Sequence, residues 1–203
     1  MNDKAAGTGE PRRAEVHRKT SETDVRVSLV LDGTGAADVQ TGLRFLDHML
    51  GALAKHGRFD LALSCKGDLD IDDHHTAEDC ALALGAAFDQ ALGDRRGILR
   101  FGDAHAPLDE ALARAVVDFS GRPYAHVELG FRREKLGDIA CENLVHVMRS
   151  LAMAARMTLH VDLLRGENDH HRVEAAFKAL ALALRRAVAL TGGTEVPSTK
   201  GSL

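Results

Sequence analysis

The chain is poor in the residues that characterise disulfide-rich and membrane proteins. It has no tryptophan, one tyrosine and three cysteines among 203 residues. Cys65, Cys80 and Cys141 lack CxxC spacing and form no even-numbered framework, so we expect buried thiols in a reducing compartment. No charge-free apolar run is long enough to span a bilayer, and the N-terminus lacks the apolar core of a signal peptide. These absences predict a soluble, cytoplasmic protein without a membrane partner.

An excess of charge of one sign is also lacking. Lysine and arginine total 26 against 30 aspartate and glutamate residues, which gives a formal net charge of -4 at pH 7. Such a chain is not expected to bind nucleic acid, although a small basic patch is enough to hold a phosphate group. The composition, 45% hydrophobic and 28% charged, is that of a globular protein with a sizeable core. The residue in unusual abundance is histidine, with 11 in the chain.

Four of these histidines belong to two HHxxE motifs. One runs from His74 to Glu78 and the other from His170 to Glu174, and each heads an apolar run that predicts a helix. On a helix, the first histidine and the glutamate share one face, where both can bind one ion. The second histidine projects about 100° away, so one motif more naturally serves two ions. The alternative is two polar first turns whose acidic groups complement the helix dipole.

The two motifs belong to an internal repeat. His48 and His146 are 98 residues apart, and the alternating apolar residues of 59–63 match those of 157–161 at the same offset. The HHxxE motifs follow at an offset of 96, after a loop that is shorter by two residues. A register kept across a helix and a strand indicates a pseudo-two-fold duplication. We therefore predict an α+β fold of two ββαβα half-domains, about 18–97 and 98–195, within one domain of residues 18–203.

Local patterns predict the individual elements. Residues 1–17 lack periodicity and are expected to form a disordered tail. Alternating apolar residues predict a strand over 25–31, and the turn after it predicts an antiparallel partner over 37–43. Helical spacing over 45–57 ends at Gly57, the expected C-cap. In the second half, we expect strands over 98–106, 111–119 and 124–131 and a helix over 141–156, and composition alone leaves the C-terminal tail disordered.

The repeat supplies candidate metal ligands. Each half has three paired histidines and one glutamate, and the ligands are His48, His74, His75, Glu78, His146, His170, His171 and Glu174. Imidazole and carboxylate groups without thiolate argue against a closed structural zinc site and favour Mn²⁺, with Fe²⁺, Co²⁺ or Zn²⁺ as alternatives. For His48 and His146 taken alone, the alternative is a core histidine on an amphipathic helix. The histidines without repeat partners are not predicted to be ligands.

Six segments carry a resemblance to a known family. They are FLDHML at 45–50, DHHTAED at 73–79, SGRP at 120–123, ENLVH at 142–146, DHHRVEAAFK at 169–178 and PSTKG at 197–201. With these motifs, the chain resembles imidazoleglycerol-phosphate dehydratase of histidine biosynthesis over residues 18–203. The resemblance implies dehydration of D-erythro-imidazole glycerol phosphate to imidazole acetol phosphate and water. It also implies two Mn²⁺ ions per subunit, a homo-oligomer of 24 subunits with active sites between them, and a duplicated fold like the second domain of ribosomal protein S5.

The resemblance also implies roles for individual residues. Glu22 is the candidate general base, and His75 and His171 are catalytic as well as ligands. The substrate-binding residues that it implies are Glu22, His56, Arg100, Arg122, Lys178, Ser198 and Lys200, with Arg100 expected in a strand. The hydrogen to be removed has no adjacent carbonyl and is barely acidic. We therefore expect metal ions to hold the substrate ring as imidazolate, so that the ring can expel the neighbouring hydroxyl.

Two other functions fit part of the pattern. A di-metal hydrolase would use the same ligands to activate water as the nucleophile. An RNA-binding module of the S5-like fold is the alternative without catalysis, and the net charge of -4 argues against it.

Overall fold

The computed structural model describes residues 11–201 and residue 203. The first half contains four strands and two helices. They are β1 (Arg13–Lys19), β2 (Thr23–Val30), β3 (Ala37–Gln40), α1 (Arg44–Gly57), β4 (Asp60–Gly67) and α2 (His74–Leu92).

The second half repeats this order and adds a two-stranded hairpin. Its elements are β5 (Phe101–Leu108), β6 (Ala111–Asp118), β7 (Tyr124–Glu128), β8 (Lys135–Leu136), β9 (Ile139–Ala140), α3 (Cys141–Ala154), β10 (Thr158–Arg165) and α4 (Asp169–Val188). The predicted α+β class and the duplication are thus confirmed. In the first half, three strands precede the first helix rather than the predicted two, whereas β5, β6 and β7 of the second half were all expected.

The additional strand in the first half is β1, which overlaps the predicted disordered tail. It pairs antiparallel with β2 from Arg13 opposite Val30 to Lys19 opposite Asp24. The side chain of Arg12, just before it, lies 2.6 Å from Asp32 and donates to the carbonyl of Val188 at 2.7 Å. The prediction of a tail through residue 17 is therefore wrong for 13–17, because pairing with β2 orders a segment without apolar periodicity. Residues 1–10, also predicted to be disordered, lie outside the described residues.

The two four-stranded sheets have matching strand orders, β1-β2-β4-β3 and β5-β6-β10-β7. The predicted antiparallel partner of β2 over 37–43 is wrong, since β3 pairs parallel with β4, with Ala37 opposite Leu61. Asp60, at the start of β4, explains this placement. One of its carboxylate oxygens accepts the backbone N–H groups of Thr34, Gly35 and Ala36 at 2.7–3.0 Å, which holds the preceding loop against β4.

Other helix and strand boundaries also differ from the predicted ones because of tertiary contacts. The segment before β5 is not a strand from 98, because Leu99 and Arg100 donate their N–H groups to Ala189 and Ala187 at the end of α4. Gly57 is the last residue of α1, and the C-cap is Arg58, which has the left-handed φ of 58°. A Cβ at Gly57 would lie 2.4 Å from the Phe59 ring, so packing rather than capping requires glycine there.

The helices of each half cover one face of their own sheet and meet the helices of the other half. α1 packs on α4, and α2 packs on α3. A Cβ at Gly85 of α2 would lie 2.6 Å from the carbonyl oxygen of Leu151 on α3, so glycine permits a close approach of these two helices. The main core lies between sheets and helices, where Leu46, Phe88 and Phe177 are fully buried. None of the helices that the described residues form is long and apolar enough to cross a membrane.

Candidate metal centres

Each HHxxE motif lies in the first turn of a helix. α2 begins at His74, whose N–H group donates to Asp72 at 3.0 Å. α4 begins at Asp169, and the side chain of Asn168 accepts the N–H group of His170 at 2.9 Å. Polar side chains thus bind the free N–H groups of both helix starts, which fixes the first turns that present the histidines.

Three side chains from α1 and α4 form one candidate centre, which we call the α1–α4 cluster. Nε2 of His48 and Nε2 of His170 each lie 3.2 Å from the same oxygen of Glu174. The potential ligand atoms of the three residues all lie within 4.8 Å of one another. This spacing is compatible with one shared ion.

A second set from α2 and α3, the α2–α3 cluster, has the same composition. Nε2 of His146 lies 2.9 Å from Glu78, and the rings of His74 and His146 are 4.8 Å apart between centroids. The potential ligand atoms of these three residues also lie within 4.8 Å of one another. Each cluster therefore combines two ligands of one HHxxE motif with the paired histidine of the opposite half, a pairing that the sequence left open.

His75 and His171, the second histidines of the two motifs, belong to neither cluster. Nδ1 of His75 lies 3.0 Å from Asp68, and Nδ1 of His171 lies 2.7 Å from Glu110. These hydrogen bonds raise the pKa of both histidines above the usual value. They also hold each Nδ1, which leaves Nε2 as the nitrogen available to a metal ion.

Glu22 lies in the turn between β1 and β2, beside the start of α2. Its Oε1 is 3.8 Å from Nε2 of His75, and its side chain is 47% exposed. The turn is attached to α2 through Asp79, which is almost fully buried. One oxygen of Asp79 accepts from Arg18 at 2.8 Å, and the other accepts from Thr23 at 2.5 Å. Asp79 thereby holds the strand ends on either side of Glu22.

Lys178 and His56 lie beside the α1–α4 cluster. The ammonium group of Lys178 is 2.7 Å from Glu174, one helical turn before it on α4. Although partial burial raises the pKa of Glu174, the hydrogen bonds from Lys178 and His48 outweigh it and lower that pKa to about 2. The pKa of His56 is lowered by partial burial and then by the positive charge of Lys178.

The other predicted substrate-binding residues gather near the C-terminus. Arg100 precedes β5 rather than lying in a strand, because its φ of 70° is left-handed. Its guanidinium group binds both carboxylate oxygens of Asp118 at 2.7 and 3.1 Å and donates to the Pro197 carbonyl at 2.8 Å. The segment with Ser198 and Lys200 is therefore attached to the second half, contrary to the disorder that composition predicts. Arg122 is exposed in the turn before β7.

Several residues that orient the histidines of the two motifs were not predicted. Asn143 is buried, and its Oδ1 lies 2.8 Å from Nδ1 of His74. Its spacing of three residues from His146 on one helix face was a usable signal. Asp68 and Glu110 lie in turns, outside any periodic pattern, so the sequence offered no comparable signal for them.

The donor set fits the predicted metal. Each cluster offers two imidazole nitrogens and one carboxylate, without thiolate, and three donors leave coordination positions open. Imidazole and carboxylate ligands with open positions suit Mn²⁺ and other divalent transition metals.

Comparisons with known proteins agree with this architecture. A family profile described as imidazoleglycerol-phosphate dehydratase matches residues 41–184. An imidazoleglycerol-phosphate dehydratase of Phaffia rhodozyma is 60% identical over 197 residues, which cover 95% of this chain and 96% of that protein. One from Kluyveromyces lactis is 54% identical over 215 residues, covering 95% and 97% of the two chains.

A solved structure extends the comparison to the fold. The Pyrococcus furiosus enzyme, in complex with (S)-C348, has a TM-score of 0.81 and 38% identity, covering 93% of this chain and 100% of that one. The profile matches the central part of the chain, and the relatives and the solved structure match nearly its whole length. The chain therefore belongs to the imidazoleglycerol-phosphate dehydratase family, hydro-lyases of histidine biosynthesis.

Proposed function

We propose that this chain dehydrates D-erythro-imidazole glycerol phosphate to imidazole acetol phosphate and water with the help of two Mn²⁺ ions. The observation that carries the proposal is the pair of clusters, each with two imidazoles and one carboxylate. When bound, the two ions supply positive charge that stabilises the substrate ring in its deprotonated form. The reaction needs this help, because the proton to be removed is otherwise barely acidic.

Glu22 is the proposed general base. The hydroxyl group leaves the carbon next to the ring, and Glu22 accepts the proton from the following carbon. The resulting enol loses its O–H proton and gains a proton at the ring-bound carbon to become the ketone, so the sum is loss of one water. The half-exposed carboxylate, 3.8 Å from His75, supports this role because it is close to a predicted ligand without being part of either cluster.

His75 and His171 are proposed to complete the metal sites of neighbouring subunits. Their Nδ1 atoms are held by Asp68 and Glu110, and neither side chain belongs to a cluster of its own chain. A symmetric assembly can place the same motif against a different neighbour in each half. This arrangement supports the expectation of a homo-oligomer of 24 subunits with active sites between chains.

Cationic side chains are proposed to bind the substrate phosphate. Lys178 is the best placed, since its ammonium group lies beside the α1–α4 cluster. His56 lies close enough to Lys178 for the ammonium charge to lower the pKa of the imidazole. Arg100 is held by Asp118 and Pro197, so its contribution would be to position the segment with Ser198 and Lys200. Arg122 is exposed and available to an anion.

A cytoplasmic location remains a prediction.

The test is an assay of the purified protein with imidazole glycerol phosphate before and after loading with Mn²⁺. We expect a ketone product that depends on the metal, without release of inorganic phosphate. Release of phosphate instead of ketone would support a hydrolase and contradict the proposal. Equal activity in the metal-stripped protein would contradict the role of the two clusters.

A further inference from the structure

The two clusters are related by the repeat but have different neighbours. Phe45 and Asn143 occupy equivalent positions, each three residues before the histidine that α1 or α3 contributes. Leu82 and Lys178 are also equivalent, each four residues after the glutamate of its cluster. The differences at these two pairs of positions bear on how strongly each cluster binds an ion.

In the α2–α3 cluster, an amide fixes the first histidine of the motif. Nδ1 of His74 lies 2.8 Å from Oδ1 of Asn143, which is 4% exposed. An amide oxygen can only accept, so this contact requires the proton of neutral His74 on Nδ1 and leaves the Nε2 lone pair for the metal. The ring is thus oriented for binding in advance.

In the α1–α4 cluster, an aromatic ring takes the place of the amide. The Phe45 ring packs edge-on against His170, with centroids 5.2 Å apart and an angle of 84° between the ring planes. A phenyl ring accepts no strong hydrogen bond and selects no tautomer. Residues 11–201 and 203 offer Nδ1 of His170 no hydrogen-bond partner, so its tautomer is left to the metal and the solvent.

A competing cation lies beside the α1–α4 cluster. The ammonium group of Lys178 lies 2.7 Å from one oxygen of Glu174, while the other oxygen faces His48 and His170. The side chains of Lys178 and Glu174 are 18% and 14% exposed, so solvent screens their charges only in part. A divalent ion at this carboxylate would be repelled by the ammonium group, whereas the equivalent neighbour of Glu78 is the uncharged Leu82.

We propose that the two centres bind their ions with unequal affinity, with the α2–α3 cluster tight and the α1–α4 cluster weak. The inference rests on the proposed two-ion function. Residues that orient metal ligands typically change affinity by about tenfold to a hundredfold, and here the missing hydrogen bond and the added positive charge act in the same direction. The ion that is lost first is the one beside Lys178.

Equilibrium dialysis of the protein against a series of free Mn²⁺ concentrations tests this, with particle size followed by light scattering at each concentration. We expect two binding steps per chain that differ at least about tenfold in affinity. His48→Ala should remove the weaker step, and His146→Ala should remove the tighter one. Circular dichroism of each variant checks that the fold is retained.

Exchange of the equivalent side chains separates the causes. Lys178→Met should tighten the weaker step, and Leu82→Lys, which introduces the cation beside Glu78, should weaken the tighter step. Asn143→Leu should weaken the tighter step through loss of the bond to His74. Each variant should leave the other step unchanged, which a general loss of stability would not do.

Three results would overturn the inference. Two equal binding steps would show that the surrounding residues do not distinguish the clusters, and the two-ion function would stand. Unequal steps that Lys178→Met and Asn143→Leu leave unchanged would remove the proposed cause. Fewer than two ions per chain at saturating Mn²⁺ would contradict both the inference and the proposed function.

Discussion

Nε2 of His48 lies 3.2 Å from Oε2 of Glu174, although the two residues are 126 positions apart and belong to different halves. The contact results from the packing of α1 against α4. The equivalent contact of His146 with Glu78, at 2.9 Å, results from the packing of α2 against α3. Each half therefore supplies ligands to both clusters, and neither half contains a complete set for one of them.

Alanine at His75 or His171 should remove metal and nearly all turnover while the monomer fold survives. Both side chains are partly exposed at helix starts and belong to neither cluster of their own chain. Metal content and kcat are the measurements, and His105→Ala, an exposed histidine on β5, is the matched control. Two ions per chain with full activity in either variant would show that these residues are not ligands.

Glu22→Gln should lower kcat by about two orders of magnitude or more, with metal content unchanged. The substitution keeps the shape of the side chain and removes its ability to accept a proton. Glu15→Gln on β1, also exposed, changes the same charge at a site remote from the turn. A normal kcat for Glu22→Gln would assign proton removal to another group.

Asp79→Ala should lower kcat about tenfold to a hundredfold, because the turn with Glu22 would lose its attachment to α2. It should also lower the free energy of unfolding by about 1–3 kcal/mol, since the buried Thr23 hydroxyl loses its acceptor. Asp79→Asn keeps one acceptor oxygen, so its kcat and its free energy of unfolding should both be higher than those of Asp79→Ala. Steady-state kinetics and urea unfolding measure the two effects, and a loss of stability without any loss of kcat would contradict the positioning role.

Chelation should convert the proposed particle of 24 subunits into smaller oligomers, because His75 and His171 are proposed to bind ions shared between chains. A shared ion stabilises the assembly by mass action, and its removal leaves interface ligands unpaired. Light scattering with EDTA, and again after Mn²⁺ is restored, measures particle size alongside activity. A particle of unchanged size after complete removal of metal would show that the ions do not hold the subunits together.

Patterns with a short period were sufficient to predict most elements. Apolar spacing or apolar runs predicted the four helices that the described residues form, and both HHxxE motifs lie at helix starts as expected. The shared offset between halves predicted the duplication, and the strands equivalent by the repeat are β4 (Asp60–Gly67) and β10 (Thr158–Arg165), 98 residues apart. These features follow from local spacing, which a sequence displays directly.

Features set by long-range contacts were missed. β1 depends on pairing with β2, and β3 lies beside β4 because Asp60 holds the loop before it. Arg100 was predicted in a strand, but it adopts a left-handed conformation and binds Asp118 and Pro197. In each case the contact depends on a partner remote in sequence or on side-chain geometry. Contacts of these two kinds leave no periodic pattern in the sequence.

The sequence by itself determined the ligand types, the duplicated helices that carry them and the resemblance to a family that the comparisons confirm. Only the tertiary structure decided which ligands meet. Adjacent histidines diverge by about 100° on a helix, so each motif had two directions in which to bind a metal. The packing of α1 on α4 and of α2 on α3 selected one direction for His170 and His74, and it left His171 and His75 outside the clusters.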